Sequence, residues 1–116
     1  MQRLQNHLIG VDRGEVSLFA DYQTGGEMWT GNGPRTRREP VAFSQAFRKP
    51  PVVQTWISLW DISTESAVRA EIVAEAVTSE GFEIVFRTWA DTRVARIRAA
   101  WTAIGELPHD DDWALY

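Results

Sequence analysis

The chain has 116 residues, no cysteine, a net charge of −4 and six tryptophans. That length suits one domain with its own hydrophobic core, and the lack of cysteine excludes disulfides, thiolate zinc sites, iron–sulfur clusters and thiol nucleophiles. The acidic balance argues against nonspecific nucleic-acid or anionic-membrane binding, and no apolar run reaches the roughly 18 residues that membrane insertion needs.

The first 13 residues, MQRLQNHLIGVDR, lack a long apolar stretch and an A-x-A-like cleavage site. They are expected to carry no signal peptide, so that the protein is made in the cytoplasm and is then released or held in a particle. Leu4, Leu8 and Ile9 suggest a short helix here that associates with its symmetry mates. Segment 1–13 is thus expected to serve oligomerisation, and 14–116 to form the folded domain. Glu15–Tyr22 (EVSLFADY) is strand-sized. Gly25, Gly26, Gly31, Gly33 and Pro34 then predict a long irregular loop, a usual place for binding residues. Arg35, Arg37 and Arg38 in GPRTRREP read as a solvated turn.

Three further strands are predicted at Val41–Phe47, Val52–Trp60 and Phe82–Trp89. In the second, Val53, Thr55, Ile57 and Leu59 fall on one face, Trp56, Ser58 and Trp60 on the other. In the third, Phe82, Ile84 and Phe86 alternate with Glu83, Val85 and Arg87, the period of a half-buried strand. Two segments read both ways. SAVRAEIVAEAV (66–77) and RVARIRAAWTAI (93–104) have apolar residues at helical spacing and helix-favouring alanines. They also alternate, with Ile97, Ala99, Trp101 and Ala103 on one face, and TSEG at 78–81 is a hairpin-like link. Periodicity leaves all-β and α+β both open.

The site chemistry visible in the residues is sparse. There is no nucleophile elbow, P-loop, dinucleotide fingerprint or H-E-x-x-H, and Glu71 and Glu75 read as exposed strand carboxylates, so the chain is not expected to be an enzyme. His109 beside Asp110, Asp111 and Asp112 reads as a solvated acidic tail and not as a metal site.

Residues 43–104 carry an ordered series: FSQAFRKPPVV, an IS-x-x-D element at Ile57–Asp61, VRAEIVAEAVTSEGFEIVF, TWADT at 88–92 and VARIRAAWTAIG. This series resembles the H-type lectin domain, the module of snail agglutinins that bind N-acetylgalactosamine and of the discoidin C-terminus. The resemblance implies an all-β fold, a six-stranded antiparallel β-sandwich, which makes strands of both ambiguous segments. It implies a homotrimer or homohexamer with sugar sites at protomer boundaries, no cofactor, and as partner a glycan on a cell surface. Any assembly is noncovalent, since there is no cysteine.

The resemblance also assigns site residues. Arg69 matches an arginine that grips the sugar's polar groups, as a planar fork of donors suits neighbouring hydroxyls. The other reading pairs it with Glu71 or Glu75. Trp89 matches the tryptophan that offers an apolar platform to a pyranose. Where the animal lectins next carry a histidine, this chain has Ala90, which offers no side-chain hydrogen bond. Asp91 either accepts from a sugar hydroxyl or caps its own turn, and the turn is favoured. Counting back from Phe43 without gaps puts Asn32 where the family brings a loop aspartate. The expected function is a multivalent lectin for a terminal galactose or N-acetylgalactosamine-type sugar. The rival is a structural or host-adhesion module of a larger assembly, such as a phage-like fibre or spike, with weak or no sugar binding.

Overall fold

Six strands alternate along the chain with turns and loops in a computed structural model that describes residues 1–109. They are β1 (Ile9–Phe19), β2 (Arg35–Ala42), β3 (Val52–Ile62), β4 (Ala70–Glu75), β5 (Gly81–Thr88) and β6 (Val94–Glu106). Two single-turn helices, α1 (Asp21–Thr24) and α2 (Glu27–Thr30), lie between β1 and β2. The strands form two antiparallel three-stranded sheets: a front sheet ordered β1-β6-β3 and a back sheet ordered β2-β5-β4. The fold is an all-β sandwich, so both ambiguous segments contain strands. The reason is the alternation, which outweighs alanine's helix propensity. Ile97, Ala99, Trp101 and Ala103 all point into the core from the central strand β6, and Ile72 and Ala74 pack against it from β4, which buries apolar surface that a lone helix could not.

The core joins these residues to Phe82, Ile84 and Phe86 of β5. At one end, Phe43, Phe47, Phe82 and Trp101 form an aromatic cluster, with Phe82–Trp101 at 5.5 Å and Phe43–Phe47 at 5.0 Å between ring centroids. Two glycines permit close approaches here, Gly14 of the Trp101 ring and Gly81 of the β2 backbone. A Cβ on Gly14 would sit 2.8 Å from the Trp101 indole nitrogen, and one on Gly81 would collide with the Val41 carbonyl oxygen. The Gly81–Phe82 pair thus has a steric basis.

Several sequence expectations shift. Strand β2 begins at Arg35 and stops at Ala42, so the expected strand 41–47 is mostly irregular. There Phe43 N–H donates to Glu80 O and Phe47 N–H to Ser79 O, and both rings plug the core. The three arginines are not a solvated turn but lie on β2, where Arg35 is buried. The glycine-rich loop contains α2, and Tyr22 lies in α1 instead of a strand. The expected N-terminal helix does not form. Ile9–Arg13 belongs to β1, paired from Ile9↔Glu106 to Arg13↔Thr102, because these residues alternate against β6. Asp110–Asp112, Trp113 and the rest of 110–116 lie outside the described residues.

One carboxylate helps to hold the segment before β1, beside the bonds of Asn6 Nδ2 to Leu107 O and of Leu107 N–H to Leu8 O. Glu106 is buried, and its Oε1 accepts from the backbone N–H of Gln5 at 2.7 Å and of Asn6 at 3.0 Å. Arg48 Nη1 donates to its Oε2 at 3.3 Å. The Gln5 and Asn6 bonds hold the Glu106 carboxyl below the usual glutamate range, against burial, which pushes it up; Lys49 and Arg48 add to the lowering. A depressed folded value means that this stabilisation is present above the unfolded glutamate value and is lost as pH falls through the folded one. The Gln5 and Asn6 amide resonances should therefore move together on acidification, with a midpoint below that of an ordinary glutamate. Glu106→Gln should abolish that titration; an unchanged midpoint in the variant contradicts the latch.

Candidate functional site

Antiparallel pairing brings the ends of three connections together at one end of the sandwich: residues 20–34, 63–69 and 89–93. All four sequence-predicted site residues fall there. Trp89 follows the last residue of β5 and is 41% exposed, on the side away from buried Phe86. Ala90 has φ 60°, a left-handed turn position that turns the chain back toward β6. Arg69 is exposed just before β4, and Asn32 is exposed between Gly31 and Gly33.

Hydrogen bonds tie these pieces to one another. Arg69 is fixed on both sides of its backbone: its N–H donates to Thr92 Oγ1 at 3.1 Å, and Thr88 Oγ1 donates to its carbonyl at 2.5 Å. Both threonines are buried. Its side chain makes no ion pair with Glu71 or Glu75 among the described residues; Glu75, at the far end of β4, pairs with Arg87 at 2.8 Å and Arg38 at 3.6 Å. The Arg87 hydrogen bond, with Arg38, lowers the Glu75 pKa. Asp91 Oδ1 accepts from Ala67 N–H at 3.1 Å. It thus braces the neighbouring loop across the gap, a structural role like the turn role expected of it, but with a different partner. Asn32 is linked through its neighbour, as Gly33 N–H donates to Ala90 O at 2.8 Å.

Sequence reasoning missed the residue that holds the end together. Arg35, buried, donates through Nε to Gly33 O at 2.9 Å and through Nη1 to Glu27 O at 3.3 Å and Met28 O at 3.2 Å. Its Nη2 donates to Ala90 O at 3.3 Å. One planar guanidinium therefore joins α2, the Asn32 loop and the Trp89 turn, which is geometry a lysine cannot reproduce. Nearby, Arg93 Nε donates to Trp29 O at 3.1 Å while its guanidinium lies 4.3 Å over the Trp29 ring. The threonines had a signal in the sequence, since they begin and end TWADT. Arg35 had none, because its GPRTRREP setting resembles a surface turn.

A loop-built end on an antiparallel sandwich is a usual place for binding residues, here with exposed aromatic and arginine side chains on a hydrogen-bonded backbone. The described residues hold no group of three or more acidic or histidine side chains placed to bind a metal ion, and no helix is long and apolar enough to cross a membrane. The fold is that of a β-sandwich with exposed aromatic and arginine side chains at one loop end.

Comparison with known proteins places it. A family model for the H-type lectin domain matches residues 38–104. A curated protein of Fuscovulum blasticum, named ATP synthase subunits region ORF 7, is 48% identical over 107 residues, 92% of this chain and 93% of its own. Discoidin II of Dictyostelium discoideum superposes with a TM-score of 0.75 at 26% identity over 90% of this chain. A second discoidin II structure, of the wild-type protein, gives 0.74 at 27% over 86%. This chain spans 39% of the discoidin II chain in the first of these structures. The tailspike protein gp49 of Pseudomonas phage LKA1 shares the fold, with a TM-score of 0.55 at 16% identity over 86% of this chain and 15% of its own. The chain belongs to the H-type lectin domain family, and the family and the discoidin structures support a carbohydrate-binding module.

The bracing role of Arg35 has a direct test. Arg35→Ala takes the donor from Gly33 O and Met28 O and a second donor from Glu27 O and Ala90 O, which keep the Gly31 and Gly33 N–H bonds, and should lower unfolding free energy by about 3 kcal/mol in urea titration. Arg35→Lys should recover less than half of that loss. An alanine variant as stable as wild type contradicts the assignment.

Proposed function

We propose that the chain is a multivalent lectin that holds a terminal galactose or N-acetylgalactosamine-type sugar at the loop end. The observation that carries this reading is the pairing of an exposed Trp89 with an exposed Arg69 whose backbone is clamped by Thr88 and Thr92. The indole gives the apolar face of a pyranose a flat partner, and the guanidinium donates to its hydroxyls. Asn32 adds a group that both donates and accepts, and Asp91 keeps an oxygen beyond the one engaged by Ala67. The family and the discoidin structures point to binding and not catalysis.

Multivalency is supported by the front sheet. Its outer face carries the row Val11–Ile104–Val52, all exposed, and Trp56 and Trp60, 46% and 60% exposed. An uncovered apolar face of this kind suits contact between copies in a trimer or hexamer. Several sites on one particle then convert weak single-site affinity into avidity. The same face also favours a second reading, a structural or host-adhesion module of a larger assembly with weak or no sugar binding.

A glycan array separates the two. The lectin reading expects binding to galactose-type glycans that falls at least tenfold in Trp89→Ala and in Arg69→Ala. No glycan bound at high protein concentration supports the adhesion reading instead, and equal binding by the variants moves the site elsewhere. Native mass spectrometry should show a trimer or a multiple of it; a strict monomer contradicts multivalency. Ala90→His restores a side chain tolerated at positive φ and should tighten N-acetylgalactosamine binding by roughly five- to tenfold, the gain from one hydrogen bond. Titration calorimetry showing no gain removes Ala90 from the determinants of sugar choice.

A further inference from the structure

Beside the loop end, toward the front sheet, lies a groove of about 250 Å³ lined by Ala20, Tyr22, Gln23, Asp61, Ala95 and Arg96. Buried Ala95 and half-buried Ala20 give it an apolar floor. Tyr22, 63% exposed, forms an aromatic wall. Gln23, Asp61 and Arg96 give it a polar rim.

The wall is held in place from behind. Asp21 is buried, and its Oδ2 accepts from Met28 N–H at 3.0 Å and from Arg37 Nη2 at 3.1 Å. That anchor fixes the turn of α1 from which the next residue, Tyr22, projects. The Tyr22 ring meets Trp29 at 5.1 Å and 81°, and the Arg93 guanidinium lies on Trp29. An exposed aromatic ring held by such a stack loses little freedom when a ligand packs on it.

The rim suits a neutral ligand. Arg96 Nε and Asp61 Oδ2 are 3.3 Å apart and both side chains are more than half exposed, so their charges offset each other. An exposed pair like this contributes little to the fold, which frees a carboxylate to accept and a guanidinium to donate to vicinal hydroxyls. Gln23 does both. An apolar floor, a flat ring and a rim of donors and acceptors suit one face and one edge of a pyranose.

We propose that this groove is a second saccharide subsite, taking one neutral pyranose ring, separate from the Trp89 site across the Trp29–Arg93 stack. The choice of a sugar as ligand rests on the carbohydrate-binding reading above; the groove's geometry does not.

The test is an NMR titration of the ¹⁵N-labelled full chain with galactose, N-acetylgalactosamine and lactose. The inference expects at least one sugar to move the amides of residues 20–24, 61 and 95–96 along a saturable curve distinct from that at 67–69 and 89–92. Tyr22→Ala should weaken the groove response about tenfold and leave the Trp89 response intact, while Tyr22→Phe keeps both. Trp89→Ala should do the reverse. Silence in the groove with all three sugars overturns the inference whatever the Trp89 amides do. Groove shifts that track protein concentration without sugar also overturn it, since they mark a protein contact. Silence at Trp89 with a responding groove overturns the Trp89 site alone and leaves this one standing.

Discussion

A buried guanidinium governs the loop end of the molecule. Arg35 sits at the start of β2, paired with Thr88 at the end of β5, and donates to carbonyls of α2, the Asn32 loop and the Trp89 turn. Without it, Met28 O of α2 and Gly33 O of the Asn32 loop would lose their donor, and Glu27 O and Ala90 O one of two, at a cost that folding has to avoid. The planar fork satisfies several at once. It thereby converts three loops of different origin into one surface, and it does so from a strand, the stiffest part of the fold. Thr88 and Thr92 extend the same logic to Arg69, which is clamped through its backbone while its side chain stays in solvent.

The two sheets treat their outer faces differently. On the back sheet, Val85 lies on the outward side yet is fully buried. Its neighbours across the strands are Arg38 and Val73, and the ion pairs of Arg38 with Glu83 and Glu75, and of Arg87 with Glu75, lie over that region. Long arginine stems cover apolar surface while their charged ends stay wet. The front sheet has no such cover over Val11, Ile104 and Val52, and its two tryptophans add large uncovered rings. The asymmetry divides the molecule into a finished face, an unfinished face and a loop end.

Much of this was legible in the sequence, for definable reasons. Period-two alternation marked β3 and β5 nearly to their ends and put Trp56 and Trp60 on the outer side of β3, since side-chain direction in a strand follows from position alone. The family resemblance resolved β4 and β6, where local propensity was balanced. The candidate residues Trp89, Asp91 and Arg69 came from TWADT and the arginine before β4, and the structure places all three at the loop end. What stayed hidden depended on partners distant in sequence. Arg37 is on the inner side of β2 because Asp21 binds it and Phe19 lies under its guanidinium at 5.0 Å. Ile9–Arg13 is strand because β6 runs beside it. Phe43 and Phe47 alternate poorly yet are buried, since a loop can drop rings into a core end without strand geometry. The tryptophan excess also divides: Trp101 packs in the core, Trp29 lies under Arg93, and Trp56, Trp60 and Trp89 face solvent.

The proposed sugar site at the loop end rests on Trp89 and Arg69. The most direct measurement is a crystal structure of the protein with the sugar that binds it best in a glycan screen. The expected result is a pyranose with its apolar face on the Trp89 ring and hydroxyls within hydrogen-bond distance of the Arg69 guanidinium. A sugar bound with neither residue in contact would contradict it.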